Sequence, residues 1–321
     1  MLRWIIPIAL YILIDIYAFQ AIKTISKNQF IHGVYVLSSV VVLALFMYAI
    51  TSPEARTNPK MMYFFGVFLA FFAPKLILVI AMFGEDVIRL FVGVFYKISG
   101  GSETSFMPSR RKFVSTLALG IAAIPFAGLL YGMIKGKYNY KVLQYTLEFD
   151  DLPSSFDGYT LTQISDIHSG SFDNPEKVKY AVDLVNKQQS DLILFTGDLV
   201  NNVAQEMDIW KDTFATLKAK DGVFSVLGNH DYGDYVSWET PEKKQENLKK
   251  LIALQKDMGW DVLLNESRTI KREQQSIRLV GVENWGEGGF KKAGDLDKAC
   301  QGVSVQDFTI LMSHDPSHWQ S

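Results

Sequence analysis

Long apolar runs dominate the first 134 residues and restrict the possible folds more than any other feature of the chain. A helix needs about 20 apolar residues to cross a bilayer. Runs of this kind cover residues 4–22, 31–50, 61–83 and 113–134. Core helices of a soluble protein are the alternative, but three such runs within the first 83 residues favour a transmembrane domain of about four helices.

Residues 84–97 mix charged and apolar side chains. Glu85, Arg89 and Lys97 recur with a helical period, and apolar residues lie between them. This pattern predicts an amphipathic helix that either lies at the membrane interface or extends the third span.

Two charged residues lie inside the predicted spans. Asp15 lies about ten residues into the first span and Lys75 about thirteen into the third, so at about 1.5 Å per residue their depths differ by less than one turn. An isolated charge at that depth costs at least about 2.5–3.5 kcal/mol. We predict an Asp15–Lys75 contact. The alternative is that Lys75 extends to an interface while Asp15 is protonated or faces a polar pocket.

A basic cluster precedes the fourth apolar run. Arg110, Arg111 and Lys112 are followed by Phe113 and a modestly apolar segment, which resembles a twin-arginine export signal. The alternative is a basic cytoplasmic anchor beside a helix. When this cluster is included, the Lys and Arg residues near the spans are divided evenly between the two sides of the membrane. We favour the export interpretation, with the cluster in the cytoplasm and the C-terminal part of the chain on the non-cytoplasmic side.

Residues 138–321 have the composition of a soluble domain, so we predict a transmembrane helical domain at 1–137 and a second domain at 138–321. The formal net charge of -2 provides no electrostatic attraction to nucleic acid, and we expect no nucleic-acid partner. The single cysteine, Cys300, excludes an internal disulfide and a cysteine-rich zinc site.

Three polar motifs in the second domain each follow an apolar, β-prone run that predicts a buried strand. Because open α/β sheets place their sites at the carboxyl ends of strands, we expect the motifs to meet there. A single Asp or His in such a position is more often a turn former, but three motifs at near-equal spacing are far more specific. The runs are Tyr159–Ile164, Leu192–Phe195 and Val223–Leu227, and the motifs are Asp166-Ile167-His168, Gly197-Asp198 and Gly228-Asn229-His230-Asp231.

The motifs contain the ligand types of a metal site. Asp166 and Asp198 supply carboxylate oxygens, His168 an imidazole and Asn229 an amide oxygen. A mixed nitrogen and oxygen set suits Zn, Fe or Mn. A carboxylate such as Asp198 can bridge two ions about 3.5–4 Å apart, as in two-metal phosphoester hydrolysis.

These residues resemble the calcineurin-like metallophosphoesterase family, in particular its membrane-anchored bacterial branch, over residues 143–321. The resemblance implies an α/β domain of two mixed β-sheets packed face to face and flanked by helices. It implies two divalent metal ions and hydrolysis of phosphate mono- or diester or pyrophosphate bonds. The resemblance does not fix the substrate. We expect a multi-pass protein of the bacterial inner membrane, and because its helices hold the site near the bilayer we favour a lipid-linked phosphoester, with a soluble ester as the alternative.

The same resemblance assigns a role to each site residue. It implies that Asp166 and His168 bind the first metal and that Asp198 bridges. It assigns Asn229 and His314, the latter after one more strand-like run, to the second metal.

The resemblance also implies that His230 faces the substrate phosphate and leaving oxygen, and that Asp231 holds its imidazole in the useful tautomer. The family closes its site with a Gly-His-x-His motif, which does not occur before Ser321. We therefore expect the sequence to be a fragment that is incomplete at its C-terminus. The alternative is a non-catalytic membrane module whose degenerate phosphoesterase fold lacks the last metal ligands.

Apolar patterning predicts further elements in the second domain. The aromatic residues of Tyr232–Trp238 either line a substrate cleft or pack within a loop. The predicted strands are Val142–Phe149, 261–264, 276–283 and 307–312, and the predicted helices begin at Asn174-Pro175, cover 204–219 and begin at Thr240-Pro241.

Overall fold

The structure is a computed structural model that describes residues 4–52, 59–99 and 108–320. The chain forms two compact units, Met1–Asn139 and Tyr140–Ser321. The first unit is helical, and the second combines helices with two β-sheets.

The four apolar runs form four helices that are long and apolar enough to cross a membrane. Many of their large apolar side chains are exposed, as expected for surfaces that contact lipid. The helices are α1 (Ile5–Ile25), α2 (Gln29–Thr51), α3 (Pro59–Ile98) and α4 (Pro108–Ile134).

Small residues allow α1 and α4 to approach α3 closely. Alanines on α1 and α4 pack against long apolar side chains of α3, and small side chains are typical of close contacts between membrane helices. The buried cluster consists of Ala18, Ala21, Leu78, Met82, Ala118 and Ala122.

Helix α3 continues through residues 84–97, so the amphipathic segment extends the third span. Helix α4 begins before the fourth apolar run and includes the basic cluster. Arg111 Nη1 lies 3.1 Å from Oε2 of the buried Glu85 and also pairs with Asp86. These ion pairs tie the start of α4 to α3.

The predicted contact between Asp15 and Lys75 is confirmed, with Lys75 Nζ 2.6 Å from Asp15 Oδ1. Lys75 Nζ also donates to the Tyr11 hydroxyl at 3.1 Å and to Ser39 Oγ at 2.8 Å. Asp15 Oδ1 accepts from the Tyr35 hydroxyl at 3.0 Å and from Ser39 Oγ at 2.7 Å. We call these five residues the membrane cluster, and they join α1, α2 and α3.

The first sheet of the second unit is parallel throughout, with strand order β1-β2-β3-β4. All four of its strands were predicted, and each begins and ends within two residues of the predicted bounds. The strands are β1 (Leu161–Ile164), β2 (Leu192–Phe195), β3 (Val223–Ser225) and β4 (Asp261–Val262).

The second sheet is mixed and comprises β5 (Glu266–Arg272), β6 (Gln275–Gly281) and β7 (Thr309–Met312). Strand β6 pairs antiparallel with β5 and parallel with β7. Leu194 of the first sheet and Leu279 of the second belong to one buried cluster, so the two sheets pack on a shared core. The resemblance therefore implied the correct α/β class, but only the second sheet is mixed.

Helices of the second unit are α5 (Pro175–Lys187), α6 (Lys211–Phe214), α7 (Pro241–Asp257) and α8 (Leu296–Ala299). The predicted starts of α5 and α7 are confirmed. The side chains of Asn174 and Thr240 accept hydrogen bonds from backbone amides in the first turns of these helices.

The predicted helix over 204–219 is wrong. It is replaced by a 3₁₀ turn at Ala204–Met207 and the single turn of α6. Trp210 and Phe214 are buried, but Ile209 is 76% exposed. The Glu206 carboxylate accepts from backbone amides just before the 3₁₀ turn, which favours a local turn over a continuous helix.

The predicted strand at Val142–Phe149 is also wrong, because the segment pairs with no strand in the described residues and Tyr145 is 81% exposed. Conversely, β5 was missed. It is polar and buries Ile270 alone among its residues. β-propensity reflects packing against neighbouring side chains, so it could not show that Val142–Phe149 stays unpaired or that the polar segment β5 forms a strand.

Candidate active site

The three predicted motifs converge at the carboxyl ends of the parallel strands. A fourth polar residue reaches the same place from the second sheet, after β7. The residues that follow β1, β2, β3 and β7 are, in that order, Asp166 with His168, Asp198, Asn229 with His230, and His314.

Asp198 lies at the centre of this site. Its buried Oδ2 is 3.4 Å from His314 Nε2 and 3.5 Å from His168 Nε2. Two groups of three side chains each bring their ligand atoms within 4.8 Å of one another. One group is His168, Asp198 and His230, and the other is Asp166, Asp198 and His314. Asp198 belongs to both, as a bridging ligand requires.

The composition of the two groups differs from the assignment that the resemblance implies. Asp166 groups with His314, although its carboxylate is also 3.8 Å from His168 Nε2. His230, which the resemblance assigns to the substrate, is close enough to His168 and Asp198 to count as a possible ligand. The His168 and His230 rings meet edge to face at 4.7 Å.

Three of the site residues have unusual backbone conformations. Asp166, His168 and Asp198 have φ values of 54°, 46° and 62°, in the left-handed region that non-glycine residues seldom adopt. Backbone hydrogen bonds hold them, from Asp166 N to Gly197 O and from His168 N to Asp198 O, each 3.0 Å long. Such conformations cluster at functional sites, where the surrounding structure maintains them.

Two of the motifs contain a glycine because the motifs approach one another too closely for a side chain at that position. A Cβ atom at Gly228 would collide with Asp198 Oδ1, and one at Gly197 would lie 2.9 Å from His314 Nδ1. Gly197 also has a φ of 102°, which disfavours any side chain. A side chain at either position would therefore separate the strand ends that form the site.

The predicted contact between Asp231 and the His230 imidazole is wrong. Asp231 is fully buried, and its carboxylate accepts from the amides of Asp198–Val200 at 2.8–3.3 Å and from Gly228 N at 2.9 Å. Burial raises the pKa of Asp231 to about 7, although the amide donors act to lower it. Asp231 thus joins the second and third motifs through their backbones, because its short side chain points into the core.

The His230 imidazole is instead held by a backbone carbonyl. Its Nδ1 lies 2.7 Å from the carbonyl oxygen of Asn201, and a carbonyl can only accept, so Nδ1 carries a proton. The other ring nitrogen is left for the site. Glu206 holds this loop by accepting from the amides of Asn201, Asn202 and Val203 at 2.5, 3.1 and 3.2 Å. Sequence reasoning missed these residues. The one available signal was a polar Asn pair soon after β2.

His314 and Asp198 form an ion pair. Burial acts to lower the pKa of His314, but the hydrogen bond and charge of Asp198 outweigh it and raise that pKa to about 9. Burial acts to raise the pKa of Asp198, yet His314 holds it below its usual range. His314 Nδ1 lies 2.8 Å from Thr196 O, and its Nε2 lies 3.2 Å from Asn229 Oδ1.

The two alternatives for Tyr232–Trp238 apply to different residues. Tyr232 is buried and donates to Glu283 at 2.8 Å, and Trp238 Nε1 donates to Gly233 O at 2.7 Å, so both pack within the unit. Tyr235 is 45% exposed and lies beside His230, with ring centroids 4.4 Å apart.

These side chains fit divalent metal ions. Carboxylate, imidazole and amide ligands from four strand ends face one another, and the buried Asp198 lies within reach of two imidazoles. A cation would relieve the mutual repulsion of Asp166 and Asp198 and would replace the proton that His314 carries.

Comparison with known proteins identifies the family. Residues 2–137 match the family described as the transmembrane domain of a probable calcineurin-like phosphoesterase, and residues 159–321 match the calcineurin-like phosphoesterase family. This chain belongs to the calcineurin-like phosphoesterases. It is therefore a multi-pass membrane protein with a metallophosphoesterase domain, and the alternative of a degenerate, non-catalytic module is not favoured.

Individual relatives are distant. An uncharacterized metallophosphoesterase, YkuE of Bacillus subtilis, is 31% identical over 65% of this chain and 70% of its own length. A transmembrane protein with a metallophosphoesterase domain from Danio rerio is 26% identical over 63% of this chain, but only 44% of that protein is covered. An uncharacterized Helicobacter pylori metallophosphoesterase is 26% identical over 72% of this chain and 57% of its own length.

Proposed function

We propose that this chain is a membrane-anchored phosphoesterase that hydrolyses phosphate mono- or diester or pyrophosphate bonds with two divalent metal ions, drawn from Mn, Fe and Zn. The observation that carries the proposal is the shared position of Asp198 in two groups of ligand atoms. A single buried carboxylate that serves two cation sites is the arrangement that two-metal hydrolysis requires.

Five side chains would hold the ions. Bound ions would activate water and neutralise the charge that develops on the phosphoryl group. The metal-holding residues are Asp166, His168, Asp198, Asn229 and His314.

His230 would act as the general acid. Its Nδ1 is tied to Asn201 O, which orients the ring and leaves Nε2 as the nitrogen that can pass a proton to the leaving oxygen. The edge-to-face contact with His168 limits rotation of the ring. The residue therefore needs no carboxylate partner for its orientation.

The decisive experiment replaces Asp198 in the full chain, purified in detergent. Wild type should carry two ions per chain by elemental analysis and hydrolyse bis(para-nitrophenyl) phosphate. Asp198→Asn should lose both ions and the activity together. Asp183→Asn is the control, because Asp183 pairs with Lys179 on an exposed face of α5. Unchanged metal content in Asp198→Asn would reject the bridging role.

We further propose that the substrate is lipid-linked, because the chain's own membrane helices keep the phosphoesterase domain at the bilayer. A phosphodiester lipid in vesicles should then be cleaved with a higher kcat/KM than its water-soluble, deacylated counterpart. Equal values for the two would favour a soluble ester as substrate.

The phosphoesterase domain is proposed to lie on the non-cytoplasmic side of the bacterial inner membrane. The support is the basic cluster at the start of α4, which favours a cytoplasmic location for that end. A single cysteine at Lys141, in a Cys300→Ser background, should react with an impermeant reagent added outside intact spheroplasts. Reaction only after lysis would reverse the orientation.

A further inference from the structure

Tyr235 contacts two residues of the site at once. Its hydroxyl oxygen accepts a hydrogen bond of 2.6 Å from Asn229 Nδ2, and its ring packs on the His230 ring with centroids 4.4 Å apart. Its side chain is 45% exposed, so the fold does not require this tyrosine for its core.

The Asn229 amide has two chemically different ends, and only its oxygen can bind a cation. Here Oδ1 faces His314 Nε2 at 3.2 Å, and Nδ2 faces the Tyr235 hydroxyl. Rotation of the amide by half a turn would direct Nδ2 toward the other ligands. The hydrogen bond from Nδ2 to Tyr235 therefore opposes this rotation and keeps Oδ1 directed toward the other ligands.

A cation would strengthen this arrangement. An ion at Asn229 Oδ1 draws electrons from the amide and makes Nδ2 a better donor to Tyr235, so the two interactions support each other. Residues in this relation to a metal ligand typically change metal affinity by about 10–100-fold when they are replaced.

We propose that Tyr235 is a positioning residue that holds the Asn229 amide with its oxygen toward the metal, and so sets the affinity of the second ion. This inference rests on the proposed two-metal function. It goes beyond that function by assigning control of one of the two ions to a residue outside the ligand set.

The test uses the full chain in detergent and titrates it with Mn²⁺. Tyr235→Phe removes the hydroxyl and keeps the ring on His230. It should weaken the binding of one Mn²⁺ by about 10–100-fold and leave the other unchanged. Tyr180→Phe, on an exposed part of α5, is the matched control and should bind both ions like wild type.

Activity gives a second, independent readout. If Tyr235 acts through metal affinity, saturating Mn²⁺ should restore the kcat of Tyr235→Phe on bis(para-nitrophenyl) phosphate. Wild-type affinity for both ions in Tyr235→Phe would overturn the inference, as would equal weakening of both ions or a kcat that excess Mn²⁺ does not restore. Failure of the wild-type protein to bind two ions would instead reject the proposed function.

Discussion

Two clusters of polar residues in this molecule are built in opposite ways. In the membrane cluster, the three protons of the Lys75 ammonium have three acceptors, namely Asp15, Tyr11 and Ser39. The charges cancel, and each partner lies on a helix of the same bundle. In such a network the polar groups form hydrogen bonds with one another, and these bonds join the helices.

The site at the strand ends is open by comparison. Asp166 and Asp198 bring two carboxylates into the same site, and the backbones of both residues are held in a left-handed conformation. His168 and His314 approach Asp198 at 3.5 and 3.4 Å. Excess negative charge and strained ligands indicate a site that a cation completes, whereas full pairing indicates a structural role.

Replacement of His230 should have the largest effect. If it donates a proton to the leaving oxygen, His230→Ala should lower turnover by about two to four powers of ten while both ions remain bound. The loss should shrink for a nitrophenyl ester, whose leaving group needs no proton. Metal content and kcat for good and poor leaving groups are the measurements. Loss of one ion would make His230 a ligand, and an equal loss of turnover for both substrates would exclude the acid role.

Breaking the membrane cluster should affect stability and leave metal content unchanged. Lys75→Met and Asp15→Asn each leave a buried charge or polar group unpaired, which typically costs about 3–5 kcal/mol. The double variant should lose less than the sum of the two. Unfolding in detergent micelles measures the free energies, with Lys27→Met, at an exposed position between α1 and α2, as control. Strict additivity would contradict a direct pair.

The two arginines before the fourth span should differ in their effect on stability. Arg111→Gln leaves Glu85 buried without its cation, so we expect a loss of about 1–3 kcal/mol. Arg110 is exposed, and Arg110→Gln should change the free energy of unfolding by less than about 0.5 kcal/mol.

An export signal would require both arginines, whereas among the described residues the ion pairs of α4 with α3 involve Arg111 and not Arg110. The two roles can be separated by measuring translocation of the phosphoesterase domain with an accessible cysteine. Normal translocation of Arg110→Gln would contradict the twin-arginine interpretation, and equal stability of the two variants would contradict the structural role of Arg111.

The smallest effect should come from Ser39, which both accepts from Lys75 and donates to Asp15. Hydrogen bonds between membrane helices contribute about 0.6 kcal/mol on average, so Ser39→Ala should cost about that amount per bond lost. Ser38→Ala is the matched control, because Ser38 Oγ donates to Tyr35 O within its own helix. Equal stability of the two variants in micelles would show that the cluster does not depend on Ser39.

Much of the architecture could be predicted because it depends on local composition. Apolar length predicted four membrane helices, and alternation of apolar runs with polar motifs predicted the strands before Asp166, Asp198 and Asn229. Equal depth in parallel spans was enough to predict the Asp15–Lys75 pair, since unpaired charges are costly in lipid. In each of these cases a single physical requirement, such as the pairing of charges in lipid, is enough for the prediction, and the details of side-chain packing are not needed.

Predictions failed where the result depends on which way a side chain points. Asp231 and His230 are adjacent in sequence, yet the carboxylate enters the core to bind backbone amides while the imidazole turns to Asn201 O. Glu206 interrupts the helix expected over 204–219 through amides of the preceding loop. These contacts connect loops that only the folded sheet brings together.

Local composition was therefore sufficient to predict the division into membrane and phosphoesterase parts, the residue types of the site and the strands that carry them. These conclusions follow from the burial of apolar surface and the chemistry of metal ligands, and they do not depend on which residues meet in the folded protein. Tertiary contacts were needed to show that Asp231 is a backbone anchor and that Tyr235 faces Asn229. Hydrogen bonds are directional and act over about 3 Å, so their partners follow from the meeting of distant segments in space.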